Sequence, residues 1–206
     1  MKIKIKSKSK TISFVFADDE IWGILPDKIL YFFSLNSHTQ IDLNLKKWRE
    51  LKKEIEKFAW NKLLNFLSYQ ERSVGECKNY LKQIPLKTNL IEKLVQKAMS
   101  FNYINDSRFA ELFVESLIGK NKNIREIKNK LFEKQIIENI INETIAKVYS
   151  KEKQDEILAI NVEKALMRFS KFSDKEKIEK TLNYLTRRGF SYWEVKEKLE
   201  EKIEHR

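Results

Sequence analysis

One cysteine, Cys77, is present in 206 residues, so no intramolecular disulfide can staple the chain. A lone thiol suits a reducing compartment. Proline and glycine are also scarce, at two and four residues. Both punctuate helices, and their scarcity leaves room for long helical runs. Gly23, Gly75, Gly119 and Gly189 stand far apart, so no glycine-rich loop can cradle a phosphate. The two histidines, His38 and His205, lack neighbours at metal-ligand spacing. No apolar run approaches the ~20 residues a membrane helix needs. The charged N-terminus is followed by no apolar segment of a secretory signal. These absences predict a cytoplasmic, non-enzymatic protein with no catalytic residue, no cofactor and no metal.

What the chain has in excess is positive charge. Its formal charge is +11 and its pI about 9.5. Such a balance points to a polyanionic partner, although lysine-rich faces are often only solvated. Carboxylates are spread among the lysines in the arrangement usual for solvated helix faces. A hydrophobic fraction of 42% is enough to build a core.

A nine-residue frame recurs. Ser73 to Leu81 reads Ser-Val-Gly-Glu-Cys-Lys-Asn-Tyr-Leu, Asn123 to Leu131 reads Asn-Ile-Arg-Glu-Ile-Lys-Asn-Lys-Leu, and Ser191 to Leu199 reads Ser-Tyr-Trp-Glu-Val-Lys-Glu-Lys-Leu. Each copy opens on a capping residue followed three positions later by Glu, the pattern of a capping box. Apolar residues at offsets four and eight share one face of the helix that follows. Cys77 occupies the first of these positions, as Ile127 and Val195 do in the other copies, so it reads as a small core residue. Leu67, Leu117 and Leu185 precede the three caps by the same interval, and Leu64, Val114 and Leu182 sit three residues further upstream. Each unit is therefore a helix, a tight connection and a second helix packed back on it. Such a pair cannot bury its stripe alone, so neighbouring copies must pack together. The caps fall at 73, 123 and 191, an unequal spacing that implies an insertion before the last copy.

Ahead of the repeats, Lys and Ile alternate over residues 2–6 with the period of a strand. Thr11–Phe16 and Glu20–Leu25 read as strands joined by a turn at Ala17-Asp18-Asp19. Pro26 suits the start of a helix through Leu30 and Phe33, and the segment from Asn36 to Asp42 reads as a polar loop. From Leu45 onward the pattern is helical. Ile136, Ile137, Ile140, Ile141 and Ile145 read as core of a third helix in the middle module, and Gly119 is placed to end the helix before it with a left-handed residue. Ile157, Ile160, Ala165 and Phe169 mark the inserted helix. The fold expected is mainly α, with tandem three-helix modules forming an elongated body behind a small N-terminal β-hairpin-plus-helix region. The boundaries are 1–55 for that region, 56–101 and 102–149 for the first two modules, and 150–206 for a linker helix with the third.

The basic residues matter for where they fall. Arg72 directly precedes one cap, Lys120 and Lys122 precede the next with Arg125 just after it, and Arg187 and Arg188 precede the last. Packed modules would bring these connections to one edge, where arginine matches phosphate and carboxylate geometry. The same side chains could simply neutralise C-terminal helix carbonyls. As an edge they are expected to be exposed, so that reversing Arg187 and Arg188 would spare the fold.

Three segments carry a family resemblance. Tyr69-Gln70-Glu71-Arg72-Ser73, Phe101-Asn102-Tyr103-Ile104-Asn105-Asp106-Ser107-Arg108-Phe109-Ala110, and Leu185-Thr186-Arg187-Arg188-Gly189-Phe190-Ser191 resemble motifs of the RecX family, regulators of the bacterial recombinase RecA. The likeness covers the helical region from about residue 56 onward. Phe101 stands where the family often has glycine, and Lys134-Gln135-Ile136 lacks another. In the middle segment Asp106 reads as a cap and Phe109 as core. The resemblance implies tandem three-helix modules that bind in the groove of the RecA–DNA filament as a monomer. It implies restraint of RecA in recombination, DNA repair and the SOS response. The alternative is a stand-alone basic helical protein that binds single- or double-stranded DNA without sequence preference.

Overall fold

The computed structural model describes residues 1–204; His205 and the side chain of Ile203 lie outside the described residues. The fold is mainly helical, and the chain divides into two compact units, Met1–Asn105 and Asp106–Arg206.

The first unit opens with strands β1 (Lys2–Ser7), β2 (Ile12–Ala17) and β3 (Glu20–Pro26), then helix α1 (Asp27–Phe32) and strand β4 (Gln40–Asp42). Helices α2 (Leu45–Leu67), α3 (Val74–Lys82) and α4 (Thr88–Ser100) follow. The strands form one antiparallel sheet in the order β3-β2-β1-β4. Asp18 and Asp19 make the two-residue turn between β2 and β3, both with positive φ, as a type I′ hairpin requires. Strand β4 is an addition to the sequence expectation, which left these residues in a loop. It is three residues long with a single apolar residue, Ile41, so it shows no hydrophobic period; pairing with β1 defines it.

Alternation sends Ile3, Ile5, Val15, Ala17 and Leu25 to one face of the sheet, where Leu30, Trp48, Leu51 and Ile55 close a core. Gly23 is needed there because a Cβ at that position would overlap the Ile55 side chain. Helix α2 crosses residues 55 and 56 without a break and serves two cores. Its first half packs on the sheet, while Ala59 and Leu63 pack with Cys77, Leu81, Ile91 and Leu94 of α3 and α4. Cys77 is fully buried there.

The second unit contains α5 (Asp106–Ile118), α6 (Ile124–Glu133), α7 (Glu138–Val148), α8 (Lys151–Arg168), α9 (Asp174–Arg188) and α10 (Tyr192–Glu204). All six contribute to one core, with Phe109 and Leu117 of α5, Ile127 of α6, Ile141 of α7, Val162 of α8, Leu185 of α9 and Val195 of α10. Helix α5 begins at Asp106, which places Asn105 rather than Asp106 at the cap position. Ile137, expected in the core of α7, is instead exposed ahead of that helix.

One kind of turn closes the helices. A left-handed residue follows the helix, and the next N–H reaches back to a carbonyl in the last turn. Asn102, Asn121, Gln135 and Gly189 take this role, with Tyr103, Lys122, Ile136 and Phe190 donating to Ala98, Leu117, Leu131 and Leu185. Gly119 does not take it, contrary to expectation. The left-handed residue is Asn121, two positions on, where a short polar side chain tolerates positive φ.

Candidate functional site

The first two caps form as their sequences predict. Ser73 Oγ accepts from the Glu76 N–H at 3.0 Å and the Glu76 carboxylate accepts from the Ser73 N–H at 3.2 Å. Asn123 Oδ1 accepts from the Glu126 N–H at 2.9 Å, and Glu126 accepts in return at 3.3 Å. In the third copy Ser191 directly precedes α10, and its carbonyl accepts from the Val195 N–H at 3.0 Å.

Each of the first two caps is preceded by a cation that turns back to the same Glu. Arg72 lies 3.9 Å from Glu76, and Lys122 lies 3.0 Å from Glu126. In the first unit the Arg72 side chain stays with its own helices. The Arg72 guanidinium lies 4.3 Å over the Phe66 ring, which stacks on Tyr80 at 4.2 Å. Arg72 is thus largely covered, and it ties the α2–α3 turn to its own helices.

In the second unit the equivalent turn is bound to another. Arg188 donates to Glu126 at 3.0 Å and to Asn161 Oδ1 at 2.8 Å. Asn161, buried on α8, donates to the carbonyls of Asn121 at 3.1 Å and Ile157 at 2.8 Å. Asn123 Nδ2 donates to the Arg188 carbonyl at 3.1 Å. The aliphatic stem of Arg125 lies against Gly189, whose φ of +102° already excludes a side chain. The α5–α6 and α9–α10 turns are therefore held side by side, with α8 as the clasp.

Burial alone would raise the Glu126 pKa. The Lys122 hydrogen bond, the Asn123 N–H and the Arg188 charge outweigh burial and hold this carboxyl below the ordinary range. Burial, with the carboxylates of Glu126 and Glu194, pushes the Tyr149 phenol up to about 12. It stays protonated and donates to the Lys122 carbonyl at 3.2 Å.

Arg188 is consequently a structural residue. Its side chain is 25% exposed and committed to Glu126 and Asn161, so the expectation that its reversal spares the fold does not hold. Lys122 is similarly engaged. Lys120, Arg125 and Arg187 are exposed, and they sit on the two joined turns. Arg72 belongs to the other unit. A cleft of about 230 Å³ between the turns is lined by Asn123, Tyr149, Asp155, Ser191 and Glu194. Its two carboxylates make the cleft itself unsuited to an anion.

Two aromatic residues join this surface without having been singled out in the sequence. Tyr192 and Trp193 open α10 at 45% and 72% exposure, edge to face at 5.2 Å. An exposed Trp beside cations is a common anchor for a partner. The repeat frame hid these two, because it assigns no role to their places. Among the described residues no group of three or more His, Cys, Asp or Glu is placed to hold a metal ion, and no helix is long and apolar enough to cross a membrane.

The fold and this surface define a class: a basic, mainly helical protein that presents a cationic and aromatic surface from helix turns. No family model matches the chain. Curated relatives do. A regulatory protein RecX of Listeria welshimeri is 30% identical over 193 residues, covering 92% of this chain and 70% of the relative. A regulatory protein RecX of Clostridium acetobutylicum is 28% identical over 205 residues, covering 97% and 94%. A crystal structure of RecX from Lactobacillus salivarius superposes with a TM-score of 0.63 at 28% identity, over 71% of this chain and 95% of that one. Another crystal structure of a regulatory protein RecX gives 0.68 over 95% and 98%, and at 24% identity it speaks for the fold. The chain belongs to the RecX family of regulatory proteins.

Proposed function

We propose that this protein binds the RecA–DNA filament and restrains RecA, using the joined turns of its second unit. The observation that carries the proposal is that Lys120, Arg125 and Arg187 stand exposed on the two joined turns, with Tyr192 and Trp193 exposed at the start of α10. Cations on a surface steer it to a polyanion, and exposed aromatics supply contact area once it has docked. Family membership and a formal charge of +11 support the same partner. Lys122 and Arg188 act in this reading by setting the shape of the turns, with part of each side chain available at the rim, and Arg72 acts separately by setting the α2–α3 turn. Residues 56–101, 102–149 and 150–206 are proposed as the three modules, with 1–55 as an appended region.

The test is RecA's DNA-dependent ATP hydrolysis with substoichiometric protein. The parent is expected to slow it. Reversing Arg125 and Arg187 to Glu is expected to abolish the effect while helicity is kept. A matched reversal of Lys151 and Lys153 on α8 changes net charge equally and is expected to leave inhibition near the parent value. Equal loss in both variants would show that net charge alone drives association. The net charge also favours stand-alone DNA binding, which predicts the same salt dependence with RecA present or absent.

A further inference from the structure

The lysine–isoleucine alternation at the N-terminus has a use beyond packing. Ile3 and Ile5 of β1 face the core, which sends Lys2, Lys4 and Lys6 to the opposite face of the sheet. On the neighbouring strand β2, Val15 and Ala17 face the core, and Phe14 and Phe16 face outward with the lysines. The register puts Lys4 directly opposite Phe16 and Lys6 directly opposite Phe14. The two rings are 6.2 Å apart. Lys6 Nζ stands 5.3 Å over Phe16, and Lys8 Nζ stands 5.8 Å over Phe14.

The ordinary explanations leave this pattern unexplained. Lysine on an edge strand prevents sheets from pairing, which suits Lys6 beyond the reach of β4, but Lys2 and Lys4 lie between β2 and β4, and the facing phenylalanines serve no such purpose. The core does not need the two phenylalanines, because they point away from it. Lys4 is paired across the sheet with Gln40, and Asp42 stands opposite Lys2. Two neighbouring rings ringed by long cations are what a nucleic-acid strand with unpaired bases requires. Bases stack on the rings, and the lysines meet the phosphates at either side. A duplex keeps its bases stacked inside and would leave the rings unused.

We propose that the outer face of this sheet, centred on Phe14 and Phe16 with Lys4, Lys6 and Lys8, is a binding site for single-stranded DNA. The lysines that cover the rings in the free protein are flexible and swing to the phosphates as bases take their place. This site acts without RecA, so its test separates from that of the filament proposal.

The experiment measures binding of a short labelled oligo(dT) to the full chain by anisotropy over a salt series. Three variants are compared with the parent. Phe14→Leu with Phe16→Leu keeps an apolar face without rings and is expected to weaken binding by about 10-fold. Lys4→Gln, Lys6→Gln and Lys8→Gln together are expected to flatten the dependence of log affinity on log salt by about 2. A charge-matched change of Lys171, Lys175 and Lys180 to Gln is expected to do less. Photocrosslinking with 5-iodouracil in the same oligonucleotide, on the unaltered protein, is expected to label residues 12–17. The proposal is overturned if label falls only on the turns carrying Arg125 and Trp193. It is overturned equally if the leucine variant binds oligo(dT) like the parent, for then the face is plain electrostatic surface.

Discussion

The turn before Ser73 and the turn before Asn123 are built on the same frame. Each has a cation, a cap and a Glu that closes the box. In the first unit Arg72 spends its charge on Glu76 and the Phe66 ring, both within its own helix pair. In the second, Glu126 also receives Arg188, and Arg188 reaches Asn161. The cation before the first cap thus braces its own helix pair, while in the second copy the Glu of the box also joins one helix pair to another. A repeat in sequence specifies the local cap and leaves the wider role to whatever packs against it.

The largest effect expected separates the two units by burial. Leu117 and Leu67 hold equivalent positions, but Leu117 is 3% exposed while Leu67 is only partly buried. Leu117→Ala is expected to cost about 3–4 kcal/mol and Leu67→Ala about 1–2, measured by urea midpoints. Equal losses would remove the distinction.

The joint itself comes next. Arg188→Ala is expected to cost about 2–3 kcal/mol, since it strands Glu126 and Asn161 in partly buried positions. Arg72→Ala is expected to cost about 1 kcal/mol, from a long ion pair and a cation–π contact. Hydrogen exchange should quicken across both the α5–α6 and α9–α10 turns in the first variant, and only around α2–α3 in the second. Confinement of the Arg188 effect to α9 and α10 would show that the turns are not coupled.

Gly189→Ala follows at about 2 kcal/mol, because positive φ and the Arg125 stem both oppose a Cβ. Asn121→Gly, at the other left-handed closure of the same unit, is expected to change stability by less than about 1 kcal/mol. Thermal melts of the two variants check the contrast. Among the caps, Asn123→Ala is expected to cost more than the ~1 kcal/mol typical of a lost cap, because Asn123 also holds the Arg188 carbonyl.

The smallest effect is one of pH. Glu126 has its folded pKa below the ordinary value of 4.5. Its stabilising contribution is complete above that value and is lost as pH falls through the folded pKa. The difference in urea midpoint between parent and Glu126→Gln is therefore expected to be full at pH 7 and to shrink below about pH 4. A difference that stays constant with pH would mean the Glu126 charge does not hold the joint.

Much of this architecture was legible from residues alone. The caps at Ser73 and Asn123 show because capping boxes are local, and the Leu and Ile stripes show because helix period is local. The mainly helical fold and the buried Cys77 followed from the same patterns. Strand β4 was not legible, since three residues with one apolar side chain show no period and pair only with β1. Nor was the left-handed turn at Asn121, where glycine two residues earlier offered the stronger signal. At the candidate site, exposure of Lys120, Arg125 and Arg187 was anticipated. The commitment of Arg188 was not, because its partner Glu126 is 62 residues distant and Asn161 lies unmarked within a helix. Trp193 was hidden because the frame assigns no role to its place, which Gly75 and Arg125 hold in the other copies.

Asn161 also bears on how such a chain can drift over generations. Its carbonyl oxygen serves Arg188, and its amide nitrogen serves Asn121 and Ile157. A change to any aliphatic residue abandons all three bonds at once. A change at position 188 leaves the Asn161 carbonyl oxygen without its donor and Glu126 with only Lys122 and the Asn123 N–H. Neither mutation is a small step, and neither can be repaired at the same position. The route open to descendants is a linked exchange, in which positions 126, 161 and 188 are replaced as a set or kept as a set. The inserted helix, which by spacing alone looks like a spacer between copies, is on this account the part of the chain least free to be lost.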